Sequence, residues 1–277
     1  MDNSIYEPIS YTAEKILQKK ARDTSILYAK ELADTLKIDW KSSKIKDWLR
    51  TLIWGRVRPG LYLELRYNAI SQALQLYPES AVLEIAAGYS TRGLIECMHR
   101  EAYIETDLDK LIFHKEKVID LMQEGKRNPC HYFKPLNICN PQSIEEVGNF
   151  IQSLGLTKPV VVIHEGLFMY LNTSEQQLAR DNIKTFLAKY SPDGAWITTD
   201  FSERDLNLTI LQQFMMKKLS REVERKLYYF PNDDAVTDFL QEANLNFTKL
   251  PNLEAQNNEL EVRSVAEEFR AYQITLN

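Results

Sequence analysis

From residue 81 onward, short apolar runs alternate with amphipathic stretches, and no other feature restricts the fold of this chain as much. The runs are AVLEIA (81–86), AYIET (102–106), a stretch at 131–138, PVVVIH (159–164) and AWITTDF (195–201). Helical periodicity fills the intervals at 91–98, 109–124, 144–154 and 175–190. PVVVIH has no polar alternation, so it reads as a strand buried on both faces. Strands separated by helices predict a mostly parallel α/β sheet with helices on both faces. A further helix is expected at 233–243, a polar loop at 252–258, and two last strands at 246–250 and 269–276.

The first 78 residues carry no strand signal and read as a helical N-terminal cap. Across 11–38 the apolar positions Ile16, Leu17, Ile26, Leu27, Ala29, Leu32, Ala33 and Leu36 recur mostly at three- and four-residue spacing. Ser10 or Thr12 is expected to cap this helix, with a break near Asp23 and Thr24. Helices are also expected at 44–54 and, after Pro59 and Gly60, at 61–77. The α/β domain then runs over 79–277, with a Leu- and Met-rich helical insertion at about 204–227 placed over the site.

Charge narrows the partners. Lys and Arg number 34 and Asp and Glu 39, so the formal net charge is −5. A duplex nucleic-acid binder needs a basic surplus, and none is present overall. The local run Lys15, Lys19, Lys20 and Arg22 reads as a solvated helix face. Cys97, Cys130 and Cys139 show neither CxxC pairing nor metal-ligand spacing, so free thiols in a reducing, cytoplasmic compartment and no metal are expected. The segment MDNSIYEPIS lacks an apolar core and no run is long enough to span a bilayer, so no membrane association is expected.

The residues that can carry chemistry sit where the apolar runs end. Ligands of open α/β sheets bind outside the carboxyl ends of the strands. Gly88, in VLEIAAGYSTR (82–92), would let a ligand approach the backbone, and Glu84 in the same run is counted with the cofactor-binding residues. The GxGxxG spacing that seats a pyrophosphate is missing, which favours a phosphate-free nucleoside such as S-adenosylmethionine over NAD. An ordinary strand-to-helix turn is the alternative. Asp107 lies about 20 residues beyond Gly88, at the place from which an acid hydrogen-bonds ribose hydroxyls, while Asp109 suits a helix cap. Asn137 is a candidate for the adenine edge or for a plain turn. His164, Glu165 and Gly166 follow the most apolar strand directly. A carboxylate there calls for a cationic partner, either on the ligand or from Arg66 or Arg92.

Three segments together, VLEIAAGYSTRG, YIETDLDKLIFHK and VVVIHEGLFMYL, resemble the leucine carboxyl methyltransferase family, which includes O-methyltransferases of polyketide biosynthesis. The likeness covers about residues 60–202. It implies a Rossmann-like class I methyltransferase fold, with a seven-stranded, mostly parallel sheet and an antiparallel last strand. It implies Gly88 as the cofactor-loop glycine, Asp107 as the ribose acid, Glu165 as the acid after the fourth strand, and Arg66 in LELRYNAI as the arginine for the cofactor carboxylate. Arg92 and Lys115 match family positions as well. Ala86, Ser90, Ser71 and Asn137 depart from the family pattern.

The implied activity is S-adenosylmethionine-dependent methyl transfer to an oxygen of a small-molecule or carboxyl-bearing acceptor. A carboxylate acceptor needs no base, whereas a hydroxyl does, and His164 is then the candidate, with a histidine packed in the core or behind the site, turned from Glu165 by strand alternation, as the alternative. Glu165, Tyr170 and His164 are the expected catalytic group, with Tyr170 orienting the acceptor and Met169 lining the pocket or packing the core. Two readings compete: a binding protein that keeps the cofactor site without turnover, and another Rossmann-like enzyme such as an NAD-dependent oxidoreductase.

Overall fold

The computed structural model describes residues 7–41, 60–202, 217, 220–221, 223–251 and 270–277. Seven strands form one sheet: β1 (Ala81–Ile85), β2 (Tyr103–Asp107), β3 (His131–Pro135), β4 (Val160–His164), β5 (Ala195–Thr198), β6 (Leu245–Leu250) and β7 (Ala271–Leu276). Their order is β3-β2-β1-β4-β5-β7-β6. The first five pair in parallel, and β7 runs antiparallel to both β5 and β6. The parallel α/β sheet expected from the alternation of runs is therefore present, as is the antiparallel last strand that the resemblance implies.

The helices are α1 (Glu7–Asp23), α2 (Ala29–Thr35), α3 (Leu61–Leu74), α4 (Gly93–Glu96), α5 (Asp109–Met122), α6 (Pro141–Ser153), α7 (Thr173–Tyr190) and α8 (Asp233–Gln241). Side chains alternate across a strand, so each strand supplies two faces. Ala81, Leu83 and Ile85 pack with Val160, Val162 and Trp196 against α6, α7 and α8. Val82, Val161, Ile163 and Ile197 face Ile70, Ala73 and Leu74 of α3. Each fully buried side chain of this size contributes roughly 1.5–3 kcal/mol. The N-terminal helices join the same body: Leu17 and Ala21 of α1 and Leu32 of α2 share a core with Leu111 and Ile112 of α5 and Phe133 of β3.

Several boundaries move. Helix α1 starts at Glu7, so Ser10 and Thr12 lie inside it and do not cap it. The break near Asp23 is present, and α2 begins after Tyr28, which has φ +64°. The helix expected at 91–98 is a single turn, Gly93–Glu96. Strand β5 stops at Thr198, and Asp200–Ser202 is a 3-10 turn. Residues 223–227 form turns and coil in place of the end of the expected insertion helix, while 217, 220 and 221 are helical. The readings at 44–54 and 252–258, and at most of 204–222, fall outside the described residues. No helix among the described residues is long and apolar enough to cross a membrane.

Candidate functional site

The carboxyl ends of β2, β1 and β4 lie side by side, and the charged residues gather around them. The turn after β1 bends sharply: Ala86 has φ +52° and Gly88 φ +47°. Glycine adopts that region without penalty, and alanine does not. Helix α1 crosses close above, because the Cβ position of Gly88 lies 3.4 Å from the Ala13 methyl carbon. Ala86→Gly is expected to raise stability. Relief of roughly 1–2 kcal/mol of left-handed strain exceeds the ~0.5–1 kcal/mol of added chain entropy. Calorimetry should show a melting temperature a few degrees higher, and an unchanged or lower one would mean that Ala86 is not strained.

Asp107 closes this turn from β2. One of its carboxylate oxygens accepts the Gly88 N–H at 2.8 Å and the other the Leu108 N–H at 2.8 Å. Burial pushes the Asp107 carboxyl up from its ordinary range, against the pull of these two bonds. Each oxygen keeps a lone pair for a further donor. The expected glycine and the expected ribose acid are thus physically joined.

On the other side of β1, Glu165 follows β4. Its carboxylate meets Arg92 Nη2 at 2.9 Å and Lys20 Nζ at 3.3 Å. Burial raises the Glu165 carboxyl, but Lys20 and Arg92 outweigh it and hold the group below its usual value. Lys20 corrects the sequence reading: it is not part of a solvated face, but is buried 145 positions from its partner. Burial also lowers the Lys20 pKa, with Glu165 opposing. Nothing in the run Lys15, Lys19, Lys20, Arg22 marks which lysine turns inward; the apolar neighbours Leu17 and Ala21 on the buried face are the nearest signal.

Arg92 is held on all sides. It donates to the Tyr67 carbonyl at 2.8 Å and to Ser71 Oγ at 2.6 Å. Its guanidinium lies 4.0 Å from the centre of the Tyr67 ring. Ser71, a departure from the family pattern, is therefore a ligand of Arg92. Glu84 approaches Arg92 Nε at 3.8 Å and accepts the Tyr103 hydroxyl at 2.7 Å. Burial raises the Glu84 pKa. Glu84 is buried near the end of β1 and approaches Arg92 from below.

A second buried group backs this layer. Glu105 stands opposite Glu84 in the β1–β2 register. It pairs with Lys115 and with His131 Nε2, the latter at 2.7 Å. Burial raises the Glu105 carboxyl, and Lys115 and His131 more than reverse it. Two facing buried carboxylates are tolerated because one is neutralised by Lys115 and the other is drawn toward its neutral form. Lys115, singled out by family resemblance, is a structural counter-ion.

Arg66 points to Asp200, with Nη2 3.3 Å from Oδ1. His164 has its Nδ1 3.1 Å from Asp200 Oδ2, and its ring stacks on Phe168 at 4.9 Å. The imidazole is fully buried. Strand alternation turns its ring away from Glu165 and toward Phe168 and Trp196. Asn137 lies in a turn: its side-chain oxygen accepts the Cys139 N–H at 3.0 Å and its backbone N–H donates to Ser143 Oγ at 3.1 Å. Tyr170 closes the 3-10 turn Phe168–Tyr170 and is buried beside the Glu165 loop. A surface groove lined by Arg180, Lys184 and Glu242 lies on the outer side of α7, away from the strand ends.

The carboxylates here set an acid limit. Burial alone would raise the Asp200 pKa, but His164 and Arg66 hold it well below the ordinary value, and Glu165 is depressed as well. A depressed carboxylate contributes stability above its unfolded pKa of about 4 and loses it as pH falls through the folded value. The melting temperature should therefore drop as pH is lowered from about 5 to 3. A flat profile there would mean that these pairs do not stabilise the fold.

No family model matches the chain, and no curated protein matches it. Solved structures do. A proposed methyltransferase from Thermobifida fusca YX aligns over 92% of this chain and 94% of its own, with TM-score 0.56 and 13% identity. A DUF574 family protein from Streptomyces avermitilis MA-4680 aligns over 95% of both chains, with TM-score 0.46 and 12% identity. Magnesium protoporphyrin IX methyltransferase from Synechocystis PCC 6803 covers 88% and 94%, with TM-score 0.48 and 9% identity. The Thermobifida likeness and the strand order together place the chain in the Rossmann-like class I methyltransferase fold.

Proposed function

We propose that this protein binds S-adenosylmethionine across the ends of β2, β1 and β4 and transfers its methyl group to an acceptor oxygen. The observation that carries the reading is the paired arrangement about the β1 turn. Asp107 is tied to Gly88 on one side, and Glu165 is flanked by Lys20 and Arg92 on the other, with Arg66 close to the Gly166 backbone. Two strand spacings, on the order of 10 Å, separate these groups, a span suited to a nucleoside carrying an amino-acid tail. Asp107 would accept the ribose hydroxyls. Glu165 would receive the amino group, and Arg66 and Lys20 the carboxylate. The zwitterionic tail thereby meets charges of both signs that already face each other in the protein.

When bound, S-adenosylmethionine supplies an electrophilic methyl group on a sulfonium. The chain's residues orient the reactants and exclude water, and orientation of this kind accounts for much of such a rate enhancement. A carboxylate acceptor is favoured over a hydroxyl. It needs no general base, and the imidazole expected to serve as one is sequestered in the core. Tyr170 is assigned to orienting the acceptor.

A second reading, cofactor binding without turnover, is favoured by Ala86, whose methyl group and left-handed backbone stand where a glycine would open the turn. Calorimetric titration with S-adenosylhomocysteine, with NADH in parallel, tests the assignment. Micromolar binding of the former alone supports it. Absence of binding by folded protein refutes it, and binding of NADH alone transfers the site to an oxidoreductase. Binding without methyl transfer across a panel of carboxylic acids and phenols would select the inactive reading.

A further inference from the structure

The 3-10 turn after β5 holds a carboxylate that the sequence reading placed inside a strand. Asp200 is buried, and three consecutive backbone N–H groups of the loop after β4 converge on it. Gly166 donates to Oδ1 at 2.7 Å, and Leu167 and Phe168 donate to Oδ2 at 2.7 and 2.9 Å. Arg66 approaches Oδ1 at 3.3 Å and His164 Nδ1 approaches Oδ2 at 3.1 Å. A carboxylate only accepts, so the imidazole carries its proton on Nδ1. The Asp200 N–H in turn donates to Thr198 Oγ1 at 3.0 Å.

These contacts bracket Glu165. The residue before it is held through its side chain, and the three residues after it through their backbone. Gly166 has φ +75°. Its Cβ position would come within 2.9 Å of Arg66 Nη2, so the left-handed turn also makes room for the guanidinium. The pattern is an anion nest of successive N–H groups, filled here by the protein's own carboxylate.

We infer that Asp200 is a positioning residue that sets the Glu165 loop and aims Arg66 at the site, with His164 acting through it. This inference rests on the cofactor reading above. Asp200 does not touch the cofactor or the acceptor; it fixes two groups that do.

The test is S-adenosylhomocysteine titration of wild type, Asp200→Asn, Arg66→Gln and the double variant, each with a melting temperature. Failure of wild type to bind would overturn the cofactor reading itself. If wild type binds, Asp200→Asn is expected to weaken binding at least tenfold, since an amide turns a donor toward N–H groups that need an acceptor. The double variant should lose less than the product of the two single losses, because both act on one ion pair. Phe186→Leu, a core change on α7 remote from the loop, serves as a stability control and should bind as wild type does. Wild-type affinity in Asp200→Asn, or independent losses in the double variant, would overturn the inference. If Asp200→Asn does not fold, His164→Phe decides. It keeps the stack on Phe168 and removes the donor to Asp200, so several-fold weaker binding supports the inference and unchanged binding overturns it.

Discussion

Asp107→Ala should weaken S-adenosylhomocysteine binding by about two to four orders of magnitude. Hydrogen bonds to a charged group contribute roughly 1.5–3 kcal/mol each. Two ribose hydroxyls on one carboxylate then amount to about 3–6 kcal/mol, and each 1.4 kcal/mol is tenfold in affinity. The substitution also removes the acceptor for the Gly88 and Leu108 N–H groups, so the cofactor turn loses its tie to β2. Asp107→Asn keeps one acceptor oxygen and should fall between the two. Titration calorimetry measures the affinity, and thermal unfolding shows how much of the loss is structural. Asp107→Ala with near-native affinity would remove Asp107 from the site, and the adjacent Gly88 turn would then be a feature of the fold alone.

Arg92→Met should be the most destabilising of the changes considered. It keeps the bulk of the side chain but removes the partner of Glu165, Ser71 and the Tyr67 carbonyl at once. Breaking a buried ion pair from one side costs about 3–5 kcal/mol, because the remaining charge stays buried. At roughly 2–4 °C per kcal/mol for a domain near this size, the melting temperature should fall by about 6–20 °C. Arg92→Lys should recover only part of this, since an ammonium cannot reproduce the guanidinium fork over the Tyr67 ring. A melting temperature within a degree or two of wild type for Arg92→Met would show that the network contributes little to the fold.

The sheet was legible because burial on both faces leaves a plain trace: AVLEIA and PVVVIH are runs with almost no polar interruption, and they became β1 and β4. The turns at Gly88 and after Asp107 were legible because strand ends in such sheets are where ligands bind. AWITTDF misled at its end. Strand-forming residues continue through Thr199, with Phe201 beyond, but the Asp200 carboxylate is claimed by the β4 loop, and the chain turns there. For His164 the two-residue alternation of a strand was itself legible, and the ring does turn from Glu165 toward Phe168.

What the amino-acid order alone determined is the set of elements and their layering, because hydrophobic periodicity is a local property and survives without any knowledge of partners. It also marked Gly88, Asp107 and Glu165, whose types and places along the chain limit their chemistry. What only the tertiary structure decided is pairing. Lys20 meets Glu165 across 145 residues, and Arg66 meets Asp200 across 134. A basic residue on a helix has the same local sequence signature whether it faces water or a buried carboxylate. Which of these it does depends on how α1 and α3 pack against the strand ends, and that packing energy belongs to the assembled core.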